Sequence, residues 1–214
     1  HTVGAGKNII IITYDLEVIP GVTPGTQQNT ATLVNYAGSN NGPNHVPPTP
    51  PTDNASSTVL ASLAKTLQGT EVVTANNGSN EVAIGELVTY RLTATVPEGS
   101  VPDASITDTL DAGLAFVSCT SVTASAGVTT NLPSGSNFSG VCNNNIVVTD
   151  AQHFRFNLGN ITNANRVNNV DETITIEYVA VVLNVAGNQG GILLNNEARF
   201  YQNTATSPVQ LGAA

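Results

Sequence analysis

Residues 105–118 read SITDTLDAGLAFVS, and the way this stretch alternates decides the fold of the chain. Along an extended backbone Ile106, Asp108 and Leu110 point one way, and Ser105, Thr107 and Thr109 the other. Asp111, Ala112 and Gly113 then read as a turn, and Leu114, Phe116 and Cys119 carry the chain onward. Asp108 stands out as a carboxylate on the apolar face. An isolated ionised acid on a core face is costly, so Asp108 must be neutral, paired or chemically employed.

Working outward, residues 86–96 give the cleanest alternation, with Val88, Tyr90, Leu92, Ala94 and Val96 inward and Thr89, Arg91, Thr93 and Thr95 toward water. Phe154, Phe156 and Leu158 mark another inward face, with His153 and Arg155 outward. Ile174, Ile176, Tyr178, Ala180 and Val182 mark the next, and Leu194, Asn196, Ala198 and Phe200 the last. Short strands are also expected near residues 62–67, 71–75 and 146–149, with a loop at 97–102 and a loop-rich insertion at 119–145. Residues 59–210 carry no convincing amphipathic helix. Many strands separated by short turns predict an all-β sandwich over residues 59–214.

The chain before it reads differently. Residues 9–19, IIIITYDLEVI, form a β-branched run expected to be a largely buried strand, and a second strand is expected at 30–36. Residues 38–58 are rich in Gly, Asn and Pro and predict an extended linker. An internal repeat sharpens this boundary. Tyr14 precedes Asn29, Thr30, Ala31 and Tyr36 much as Tyr178 precedes Asn196, Glu197, Ala198 and Tyr201. Residues 1–37 therefore read as the terminal β-hairpin of a preceding or neighbouring sandwich, and such a hairpin needs a partner.

Only 10% of the 214 residues are charged and 5% are aromatic, so Thr, Ser and Asn must cover much of the surface. That composition points to a secreted or cell-surface protein. A net charge of −9 argues against nucleic acid or an anionic membrane as partner. No apolar run reaches the ~18 residues of a membrane span. With neither Met nor a signal peptide, the sequence reads as a processed chain or a piece of a larger one. Cys119 and Cys142 predict a disulfide rather than a metal site, since no further Cys or His is suitably placed, and this implies an oxidising compartment. Sequons at Asn54, Asn77, Asn137 and Asn160 are candidate glycosylation sites.

The same alternation test flags three polar residues on apolar faces: Lys65 between Leu63 and Leu67, Asp108 between Ile106 and Leu110, and Asn196 between Leu194 and Ala198. They fall on the first, a middle and the last strand of the expected sandwich. Burial leaves a lysine as a neutral nucleophilic amine and an aspartic acid as a proton donor. The protonated acid can polarise the Asn side-chain carbonyl while the amine attacks, which releases ammonia and leaves a Lys–Asn isopeptide bond. Asn195 is a competing acceptor, but alternation places it on the opposite face. Asp103, Asp108 and Asp111 are scattered by alternation, so no metal site is expected, nor any cofactor. His45 falls in the linker and His153 on an outer face, and no phosphate loop, Ser-His-Asp set or zinc signature is present.

The lysine-bearing first strand, GELVTYRLTATVPEG at 85–99, ITDTLDAGLAFVS at 106–118 and NNEARFYQN at 195–203 together resemble the isopeptide-forming domains of bacterial fimbrial and surface-adhesin proteins. The resemblance covers residues 62–206, and the ITDTLDAGL block is its most specific part. It implies a prealbumin-like or Ig-like β-sandwich in which Lys65 links to Asn196 with Asp108 assisting. The Cys-bearing insertion departs from many pilin domains. The implied role is a non-enzymatic structural subunit of an extracellular filament, pilus or surface fibre, whose partners are copies of itself or neighbouring domains; the N-terminal hairpin adds the hypothesis of assembly by β-strand addition. The alternatives are an adhesin module binding glycan or protein through its 119–145 loops, and a non-catalytic spacer in a larger surface protein.

Overall fold

The computed structural model describes residues 12–19, 21–72, 78, 80–133, 138–167 and 169–214. Twelve strands and one short helix follow in order among them: β1 (Gly25–Thr32), β2 (Thr52–Val59), β3 (Ser62–Thr70), β4 (Leu87–Thr95), β5 (Gly99–Leu110), β6 (Leu114–Ala124), β7 (Val128–Thr130), α1 (Gly140–Asn144), β8 (Ile146–Val148), β9 (His153–Asn163), β10 (Thr173–Val182), β11 (Asn196–Gln202) and β12 (Val209–Ala213). A four-stranded sheet in the order β3-β4-β10-β6 faces a six-stranded sheet in the order β12-β11-β5-β9-β7, with β8 also paired to β9.

The inward residues of both sheets form one core. Leu92, Ala94, Ile174, Ile176 and Ala180 from the first sheet and Ile106, Phe156, Leu158, Ala198 and Phe200 from the second are fully buried. Tyr178 of β10 crosses the interface, its ring 5.2 Å from that of Phe154 and 6.0 Å from that of Phe156. Alternation in β4 and β10, and in β9 as far as Leu158, produces this arrangement, since each inward residue packs against an opposite sheet about 10 Å away.

The sandwich leaves two edges close together. β3 closes one side of the first sheet and β12 the same side of the second. Here Gly212 is required, because a Cβ on it would lie 2.7 Å from the backbone nitrogen of Leu63. The first and last strands of the domain thus meet backbone to backbone.

Several expectations need correction. Residues 12–19 form no strand, and the expected strand residues 9–11 lie outside the described residues. β1 begins at Gly25 and ends at Thr32, earlier than the expected 30–36, and pairs antiparallel with β2 from Gly25↔Val59 to Thr32↔Thr52. The second half of the expected linker is therefore a strand. Its sequence TDNASSTV is polar on both faces and carries no alternation signal, so its strand character comes from backbone pairing alone. The 97–102 loop is mostly the start of β5, which passes through a bulge between Val101 and Ala104 with Asp103 at φ 41°. Cys119 lies within β6 rather than in a loop, because the β-branched run continues through Val122, and the excursion begins only after Ala124. Of the strand expected at 71–75, Glu71 and Val72 are not in a strand, and residues 73–75 lie outside the described residues. The 119–145 region also contains the one-turn helix α1.

Candidate functional site

The site lies in the core at the β3–β12 side of the sandwich. Lys65 projects inward from the edge strand β3, where alternation places it with Leu63 and Leu67. Asp108 projects inward from β5, and its side chain is fully buried. β11 runs antiparallel to β5 in a register that sets Ala198 opposite Asp108 and Asn196 opposite Leu110. Asn196 thus stands two residues along the neighbouring strand from the partner of Asp108, on the same inward face.

Lys65 Nζ donates to both carboxylate oxygens of Asp108, at 2.8 Å to Oδ1 and 2.6 Å to Oδ2. The Lys65 side chain is only 6% exposed. Its ammonium lies 5.3 Å from the ring centre of Tyr90 and 5.5 Å from that of Tyr178, and the two rings stack at 5.5 Å. Lys65 and Asp108 come from opposite sheets, so the pair bridges the sandwich.

Asn196 joins the cluster through Tyr178. The Tyr178 hydroxyl donates to Asp108 Oδ2 at 3.0 Å and accepts from Asn196 Nδ2 at 2.8 Å. The Asn196 carbonyl oxygen Oδ1 is buried without a hydrogen-bond partner. A bare buried carbonyl carries a desolvation cost, which a proton donor arriving there would relieve.

The electrostatics drive Lys65 and Asp108 toward neutrality. Burial lowers the Lys65 amine from its ordinary value to about 8, although Asp108 opposes the shift by charge and hydrogen bond. Burial raises the Asp108 carboxyl, against the pull of Lys65 and the Tyr178 hydrogen bond. Burial also raises the Tyr178 hydroxyl well beyond its ordinary range, with the Asp108 charge adding to the effect. Tyr90 is raised by burial too, while a hydrogen bond with Asn196 works the other way. Transfer of one proton from Lys65 to Asp108 converts the ion pair into a free amine and a carboxylic acid, the two forms a low-polarity site favours.

Groups of this kind suit one bond exchange: were the Lys65 amine to attack the Asn196 side-chain carbon, an N–C bond would form, the carbon–nitrogen bond to Nδ2 would break, and the proton shed by the amine would leave with Nδ2 as ammonia. Lys65 Nζ donates to Asp108 directly, and Asn196 Nδ2 donates to the Tyr178 hydroxyl, which donates to Asp108, so the carboxyl group is linked to both nitrogens.

The remaining sequence candidates fall elsewhere. Asn195 is exposed and off the inward face, and its backbone carbonyl accepts from Asp111 N at 3.0 Å. Cys119 and Cys142 form a disulfide that pins α1 to β6. Asn54 is exposed on β2. Asn160 is exposed on β9 but uses its Oδ1 to accept from Asp103 N at 2.8 Å. Asn77 and Asn137 lie outside the described residues. Asp103 and Asp111 serve backbone turns, at Ala205 N and Gly113 N respectively. His153 Nδ1 contacts exposed Asp150 at 2.8 Å. Sequence reasoning missed Tyr178 and Tyr90 as members of the cluster. The alternation test places both on inward faces, and a phenol hydroxyl there asks the same question as a carboxylate.

No protein-family profile matches the sequence, and no curated protein does. Among solved structures, the chain is similar to the full-length major pilin SpaD from Corynebacterium diphtheriae, at 18% identity and a TM-score of 0.39, over 70% of this chain and 32% of that one. It is similar to the pilus backbone protein RrgB from Streptococcus pneumoniae, at 18% identity and a TM-score of 0.36, over 66% of this chain and 52% of that one. It is also similar to the C-terminal domain of the antigen I/II-family protein AspA from Streptococcus pyogenes, at 19% identity and a TM-score of 0.45, over 76% of this chain and 48% of that one. The chain thus spans about a third to a half of the length of these three solved structures.

Proposed function

We propose that the chain is a structural module of an extracellular filament or surface fibre, whose sandwich is closed by a Lys65–Asn196 isopeptide bond. The observation that carries this reading is the buried path Lys65–Asp108–Tyr178–Asn196, which spans both sheets at the edge where the first and last strands meet. Lysine is almost never fully buried unless it is paired, and here its partner acid is linked through Tyr178 to an amide whose carbonyl oxygen has no partner.

The mechanical sense follows from topology. A bond from β3 to β11 closes a loop of about 130 residues and contributes roughly 5 kcal/mol in the chain-entropy model. It also lets a pull on the two ends of residues 59–214 pass across one covalent bridge rather than unzip the sheets strand by strand. A disulfide and a charge-poor surface of Thr, Ser and Asn suit the same extracellular setting.

Intact-mass spectrometry of the reduced protein tests the reading. The expected mass is that of the sequence less one ammonia, with tandem spectra locating the link at Lys65 and Asn196. An unshifted mass rules the bond out.

A further inference from the structure

The Tyr–Asn contact of the site occurs a second time in the chain. Asn29 Nδ2 donates to the hydroxyl of Tyr14, as Asn196 Nδ2 donates to the hydroxyl of Tyr178. The flanking pattern matches as well. Ile12, Leu16 and Val18 surround Tyr14 at the same offsets as Ile176, Ala180 and Val182 surround Tyr178. Each Asn is followed two residues later by an alanine, Ala31 or Ala198. Each also lies on a strand that returns antiparallel, β1 on β2 and β11 on β12.

What differs is the surroundings. Tyr178 and its apolar neighbours are buried, whereas Ile12 is 78% exposed, Leu16 73% and Tyr14 59%. β1 and β2 form a two-stranded ribbon that is exposed on both faces, and such a ribbon is marginal alone. The chain contains two lysines, Lys7 and Lys65. Lys65 is held by Asp108 beside Asn196, and Lys7 lies outside the described residues. Asp53 on β2 stands opposite Ala31 as Asp108 on β5 stands opposite Ala198, so Asn29 has an acid at the matching register position, and among the described residues no lysine accompanies it.

We infer that residues 12–59 are the closing hairpin of a second sandwich, and that Asn29 is the acceptor for an isopeptide bond to a lysine of that sandwich. The occupant of the exposed face is a β-sandwich of the same design, with a lysine on its first strand. It covers Ile12, Tyr14 and Leu16 as β5, β9 and β11 of the opposite sheet cover the inward face of β10. The reaction balances as at Asn196: the incoming amine forms a bond to the Asn29 side-chain carbon, and Nδ2 leaves as ammonia with the amine's proton. The inference rests on the proposed chemistry of Lys65 and Asn196. It makes the chain a covalent link between two sandwiches rather than one locked sandwich with an appended tail.

The test uses protein isolated from its own source, digested and sequenced by tandem mass spectrometry. The peptide carrying Asn29 is expected joined to a lysine-bearing peptide with loss of one ammonia, and the lysine's sequence identifies the second sandwich, which is a different unit because Lys65, the one sandwich lysine of this chain, is taken by Asn196. Recovery of Asn29 with a free side chain overturns the inference, and so does a link to Lys7. The same digest reports on Asn196. If Asn196 is linked to Lys65 while Asn29 is free, only this inference fails; if both are free, the proposed function fails with it.

Discussion

The Tyr178 hydroxyl stands between Asp108 and Asn196, donating to the carboxylate at 3.0 Å and accepting from the amide at 2.8 Å. It therefore ties the amide to the acid, so that both nitrogens of the proposed exchange are linked to Asp108. Tyr178→Phe keeps the ring and its packing on Phe154 and Phe156 but removes that hydroxyl. The expected result is slower ammonia loss, by on the order of 10²-fold if Tyr178 takes part in proton transfer. The stability of the unlinked form should fall by about 1–3 kcal/mol, because Asp108 and Asn196 each lose a partner. Time-resolved intact mass after refolding separates the two effects, since a purely structural role would leave the rate unchanged.

Charge at the site gives a pH dependence with a definite sign. In an Asn196→Ala variant, which cannot form the bond, Lys65 keeps an amine lowered to about 8 against an unfolded value of 10.5. Between these values the unfolded chain binds more protons than the folded one, so stability rises with pH across that window and is flat above it. Asp108 is raised, so its folded form binds more protons, and its contribution is greatest at low pH and is lost as pH rises above the unfolded carboxyl value of 3.8. Denaturant unfolding of this variant should therefore show a rise from about pH 8 to pH 10.5. Replacing Lys65 with Met in the same background should abolish that rise.

How much of this was legible beforehand depended on whether a residue's role is written in alternation. Val88, Leu92, Phe156, Ile174 and Ile176 announce their face because the period of two is unbroken and one side is apolar. Lys65, Asp108 and Asn196 were legible for the same reason, as polar breaks in that period. β2 was not, because TDNASSTV has no apolar side to reveal a register. Residues 12–19 erred in the other direction: a strand pattern is present, but no sheet among the described residues receives it, and the side chains stay exposed. Pattern reports what a segment can pair with, while strand formation requires that the partner be there.

The close approach of β12 to β3 makes a backbone prediction. Gly212→Val would place a Cβ 2.7 Å from Leu63 N and 2.9 Å from the Ser62 carbonyl carbon, against main chain that cannot turn aside. Relief requires β3 or β12 to move, and overpacking of this kind typically costs about 1–3 kcal/mol. Because β3 carries Lys65, the same variant should slow bond formation as well as lower the melting temperature. Thermal unfolding and the time course of ammonia loss check both effects, and a variant that melts normally and links at the parental rate would contradict the approach of the two strands.

The disulfide and the proposed isopeptide bond should be separable. Cys119 lies opposite Tyr178 in the β6–β10 register, so one end of the disulfide borders the site. Cys142 sits in α1, and the closed loop spans 23 residues without passing through β3, β5 or β11. Lys65, Asp108, Tyr178 and Asn196 therefore keep their supporting strands when the disulfide is opened. Replacing both cysteines with serine should lower stability by about 3 kcal/mol in the chain-entropy model and leave the ammonia loss intact. Replacing Lys65 with Met should do the reverse, abolishing the mass shift while the disulfide still forms. Intact mass with and without reductant, beside denaturant melts of the two variants, reads all four outcomes. If the cysteine variant lost the mass shift, the disulfide would be positioning β6 and Tyr178 for the reaction rather than fastening a separate excursion.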